Sequence, residues 1–101
     1  MIKISIFEIN KKVDSIEISG HANYADYGKD IVCAGISSLI YACINSLNNV
    51  NKKEIILKEG FVKINNIKEF DLHDQVVIEV LINGFEQMSL EYPKNISIER
   101  K

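Results

Sequence analysis

The chain opens on strict alternation. Ile2, Ile4 and Ile6 fall on one side and Lys3, Ser5 and Phe7 on the other, which predicts a strand over residues 2–8. Asn10-Lys11-Lys12 supplies a polar turn, and Ile16 and Ile18 stay in step through residues 13–19. Residues 2–19 therefore predict a β-hairpin, ended by Gly20. Residues 20–30 hold small residues, two tyrosines and no apolar period, so they read as a loop.

From residue 31 to about 48 the period becomes helical. Ile36, Leu39, Ile40, Cys43, Ile44 and Leu47 recur at steps of three and four. Asp30 suits the N-cap, because its carboxylate can accept the backbone N–H of Val32 or Cys33. Asn48, Asn49 and Asn51 suit the helix end. Residues 53–58 and 61–65 predict a second hairpin turning at Glu59-Gly60. Residues 71–91 carry a β-branched run, Val76-Val77-Ile78-Glu79-Val80-Leu81-Ile82, that would pass for a buried strand. The stretch is too long for one strand, and Val77, Leu81, Gly84 and Met88 keep helical spacing with Val80 beside them, so it reads as a helix stopped by Pro93. Residues 96–99 alternate and close the chain as a strand. The order ββαββαβ predicts an α+β fold: an antiparallel sheet with two helices packed on one face. The other face is left for solvent or for a dimer. Two hairpin–helix halves follow one another in similar order, without sequence repetition.

Composition narrows this picture. A chain of 101 residues makes one domain, residues 1–101, and buries about 60–65% of its unfolded surface, enough for a core without metal or disulfide. The formal net charge of -2 offers no basic field for nucleic acid or a membrane surface. The start alternates instead of forming the apolar run of a signal peptide, and no stretch approaches a membrane span. A cytoplasmic protein is expected, with Cys33 and Cys43 reduced. Their spacing fits neither a Cys-x-x-Cys redox pair nor a zinc knuckle, so no cofactor or metal is expected.

The chemistry concentrates in residues 20–37. His21 follows a predicted strand end, and Cys33 falls where a helix begins. Unpaired N–H groups at a helix N-terminus favour a thiolate, and a nearby imidazole can take the proton. Cys33 thus suits a nucleophile and His21 a general base. The backbone N–H groups of Cys33 and Ala34 are candidates for an oxyanion hole. For Cys33 the plain alternative is a small apolar residue opening a buried helix, and spacing alone leaves the two readings evenly balanced. For His21 it is a histidine bonded to backbone, the usual reading of a lone histidine, against which the nearby cysteine weighs. Asp30 has two candidate roles, capping the helix or orienting His21. Ser37, one turn after Cys33, shares its helical face. Gly20 and Gly28 flank a segment holding Ala22, Tyr24 and Tyr27, which suits either plain turns or a lid over an extended peptide, with the tyrosines lining a pocket or equally anchoring the loop on the protein body. Cys43 belongs to the apolar stripe and reads as core. His73, beside Asp71 and Asp74, reads as an exposed helix residue.

Gly20-His21-Ala22, Tyr24, Gly28 and the run Asp30-Ile31-Val32-Cys33-Ala34-Gly35-Ile36-Ser37 resemble the signature of the ribosomal-processing cysteine proteases, the Prp family. The resemblance extends along the whole chain in length and element order; its specific part is residues 20–38. It implies a small dimeric bacterial endopeptidase of the cytoplasm. Such an enzyme removes a short N-terminal extension, apolar and aromatic before the cut, from a large-subunit ribosomal protein. It implies Cys33 as nucleophile and His21 as base, with Asp30 and Ser37 in the site and a loop between His21 and Cys33 that moves on binding. Two other readings compete: a ribosome-associated peptide-binding module without turnover, and a thiol sensor, for which Cys43 would be a poor resolving cysteine.

Overall fold

A computed structural model of the protein describes residues 1–20 and 30–101. The first hairpin is β1 (Ile2–Ile9) and β2 (Lys12–Gly20). Its turn residues Asn10 and Lys11 both take positive φ, 53° and 66°. That left-handed pair matches the right-handed twist of the two strands it joins. Helix α1 (Ile31–Ser46) follows, then the hairpin β3 (Ile55–Lys58) and β4 (Phe61–Ile64), helix α2 (Leu72–Glu91) and strand β5 (Ile96–Arg100). The long β-branched run of residues 76–82 lies within α2, as its spacing predicts. Its N-cap is Asp71, whose Oδ1 accepts the Asp74 N–H at 2.9 Å.

The five strands form one sheet in the order β3-β4-β2-β1-β5. The β1–β2, β2–β4 and β3–β4 pairs are antiparallel, but β5 lies parallel to β1. The α+β order therefore stands, and the wholly antiparallel sheet is corrected at this one edge. The cause is topological. A parallel neighbour needs a crossover longer than a dozen residues, and α2 provides it by carrying the chain from β4 to the far side of β1. Alternation within 96–99 is compatible with either direction.

Register places Ile4 against Ile18 and Ile18 against Val62, and Ile6 against Ile16 and Ile16 against Ile64. These residues are buried together with Val32, Ile36, Ile40 and Cys43 of α1 and Ile78, Leu81, Ile82 and Phe85 of α2. Both helices thus cover the same face. They approach closely at two glycines: a Cβ on Gly84 would come within 2.8 Å of Leu39, and one on Gly35 within 2.7 Å of Met88. Val80 departs from its expected place beside the stripe and is exposed. The other sheet face carries Lys3, Ser5, Glu17, Lys63 and Glu99, with a Lys63–Glu17 ion pair at 3.3 Å.

Candidate active site

Strand β2 ends at Gly20 in a conformation open to glycine, φ +93°. A Cβ there would collide with the Met1 carbonyl oxygen, so the neighbouring chain also excludes a side chain. The Gly20 N–H donates to the Gly60 carbonyl at 3.0 Å, which fastens the end of β2 to the tip of the β3–β4 hairpin. Gly20 pairs with Ile2 and so faces the helix side of the sheet.

The chain re-enters the described residues at Asp30, the N-cap of α1. The Asp30 Oδ1 accepts the Cys33 N–H at 2.9 Å and the Asp30 carbonyl accepts the Ala34 N–H at 3.1 Å. Of the two cap partners expected from sequence, Cys33 is the one observed. The same contacts bear on the oxyanion expectation: both N–H groups named for it are already engaged by Asp30.

Cys33, half-buried in the first turn, opens onto a cleft of about 520 Å³. α1 contributes Cys33, Ile36, Ser37, Ile40 and Tyr41 to its lining; the central strands contribute Ile2, Ile18 and Gly20; and the second hairpin contributes residues 57–62. The base is apolar and the rim carries Lys58 and Glu59. The structure thus brings Gly20, Cys33 and Ser37 to one cavity, with Asp30 holding the backbone of Cys33 in place. His21, Ala22, Tyr24, Tyr27 and Gly28 lie outside the described residues.

Two contributions escape sequence reading. Tyr41 stands eight residues after Cys33, on the same helical face, and that spacing was a usable signal. The β3–β4 hairpin had none, because only tertiary packing carries it to the thiol.

The second thiol is a different environment. Cys43 is buried, and desolvation, with the Asp74 carboxylate nearby, pushes its pKa up to about 11. This makes it a poor partner for disulfide exchange. Asp71, His73 and Asp74 also gather, their ligand-type atoms within 4.8 Å. Their hydrogen bonds account for the grouping. Asp74 accepts the N–H groups of Asn48 and Asn49, each at 2.9 Å, and the His73 Nδ1 lies 2.7 Å from its Oδ1. His73 is exposed, as expected. Among the described residues no helix is long and apolar enough to cross a membrane.

A half-buried cysteine at a helix start, opening onto a cleft with an apolar base in a small α+β domain, is a placement that a thiol hydrolase can use. The chain is 27% identical to the Ribosomal processing cysteine protease Prp of Bacillus subtilis over 105 residues, covering 88% of this chain and 87% of that one. It is 24% identical over 94 residues to the protein of the same name from Staphylococcus aureus. Two solved structures share the fold over the full length of both chains. One is the S. aureus ribosomal processing protease Prp with a covalently linked product peptide, at a TM-score of 0.87 and 24% identity. The other is that protease with a substrate peptide, at 0.81 and 22%. Residues 1–97 match the family described as Cysteine protease Prp. The chain belongs to that family and is a cysteine protease.

Proposed function

We propose that the protein is an endopeptidase of the Cys–His type that removes the short N-terminal extension of a large-subunit ribosomal protein during bacterial ribosome assembly. It works in the cytoplasm as a homodimer. The observation that carries this reading is the position of Cys33: first turn of α1, half-buried, on the wall of an apolar cleft of about 520 Å³. The names of the B. subtilis and S. aureus relatives support the ribosomal substrate.

His21 takes the Cys33 proton, and the thiolate attacks the scissile carbonyl carbon. The imidazolium returns the proton to the departing amine as the C–N bond breaks. Water, deprotonated by His21, then cleaves the thioester and frees Cys33. Asp30 acts by capping α1 and fixing the Cys33 backbone. Because the Cys33 and Ala34 N–H groups are held by Asp30, the exposed Ser37 hydroxyl on the same helical face is the proposed donor to the developing oxyanion. Gly20, at the end of β2, and Ala22, Tyr24, Tyr27 and Gly28 are the residues assigned to binding the extension.

The test is cleavage of a peptide spanning the extension junction. Cys33→Ala and His21→Ala are expected to lower kcat by at least 10³-fold, on the order seen for removed nucleophiles and bases. Unchanged cleavage by either variant refutes its assignment. In the same preparation, iodoacetamide is expected to label Cys33 in native protein and Cys43 only after unfolding, read by peptide mass spectrometry.

A further inference from the structure

The cleft extends well past the thiol. Cys33, Ser37 and Tyr41 lie at successive four-residue steps of α1, and all three line it. Eight residues of helix rise about 12 Å, which is the length of about three to four residues of extended peptide. Tyr41 and Leu57 both border the cavity and are large side chains left 51% and 45% exposed. Buried Ile40 and Val62 line it with them. Half-exposed apolar surface around an apolar base is surface that a bulky side chain would cover. Continuity with the Cys33 cavity identifies the occupant as the peptide being cut.

We propose that Tyr41 and Leu57 form a specificity subsite for a bulky apolar side chain of the substrate, about three to four residues from the scissile bond. The proposal rests on the protease reading of the cleft. It adds the position and chemical class of a side chain that the enzyme requires away from the cut. The contact is apolar, so the Tyr41 ring and not its hydroxyl carries it.

Binding and cleavage are measured separately. In Cys33→Ala protein, a fluorescent peptide spanning the extension junction is titrated by anisotropy, beside peptides with alanine at each successive position around the bond. One position three or four residues away is expected to matter. There Tyr41→Ala or Leu57→Ala weakens the parent peptide about tenfold and leaves the alanine peptide unchanged, while Tyr41→Phe binds as the parent protein does. Both peptides weakening equally, neither weakening, or Tyr41→Phe losing as much as Tyr41→Ala would overturn the subsite. Both side chains are half-exposed, so matching thermal melts are expected for all variants. The expected binding pattern without cleavage by the unsubstituted protein would support the subsite while overturning the protease reading.

Discussion

At Gly20 two independent constraints meet. The φ of +93° lies where side-chain-bearing residues are strained, and the Met1 carbonyl occupies the space a Cβ would need. Gly20→Ala is therefore expected to cost about 1–3 kcal/mol in urea unfolding. Because Gly20 also lines the cleft, the same variant should lower kcat/KM for the junction peptide. A substitution neutral in both measurements would mean that the β2 end is not held as described. The glycine at a strand end was visible in sequence; the Met1 carbonyl was not, because it arrives through the β1–β2 register. Asp30 shows the complementary case. Its capping role was legible locally, since an N-cap acts on an N–H three residues away. Sequence left Val32 and Cys33 open as its partner; the structure selects Cys33, and the cap thereby occupies a proposed oxyanion donor.

Elements meet at Asp74. This carboxylate sits in the first turn of α2 and accepts two backbone N–H groups from the chain leaving α1. Burial by itself raises its pKa, but the hydrogen bonds from Asn48 and Asn49 and the His73 ring outweigh burial and hold the carboxyl below its usual range. A lowered folded pKa has a definite sign. The stabilisation is complete above the unfolded value, about 4, and is lost as pH falls through the folded value. Asp74→Ala is expected to cost about 2–4 kcal/mol at pH 7, because two N–H donors lose their acceptor. Urea midpoints measured from pH 7 down to pH 3 should fall more steeply for the unsubstituted protein than for the variant. Equal slopes would remove Asp74 from that role. Sequence placed Asp74 correctly near a helix start, where acidic residues are ordinary, and so concealed its reach of 25–26 residues to the chain leaving α1.

At the scale of the whole molecule, the parallel β5 edge closes the fold. Ile96 is buried, the Ile2 N–H donates to the Asn95 carbonyl at 2.8 Å, and Lys101 exchanges hydrogen bonds with both Glu8 and Ile6. Removing residues 96–101 takes away one buried isoleucine, about 2 kcal/mol, and leaves β1 as an open edge with part of the core uncovered. The truncated chain should show a broad, lowered melt by circular dichroism. An unchanged cooperative melt would show that β5 is dispensable.

What the chain determined by itself was local. Alternation and three-to-four spacing act between near neighbours, so element types, their order and the cap on α1 were readable, and so was the family signature at residues 20–38. Tertiary structure decided what depends on meetings between distant segments: the direction of β5, the hairpin brought to the cleft, the reach of Asp74 to the chain leaving α1, and the depth of the groove toward Tyr41. Pattern specifies which face of each element is apolar. It does not specify which other face will cover it, and the groove is made where that covering is incomplete.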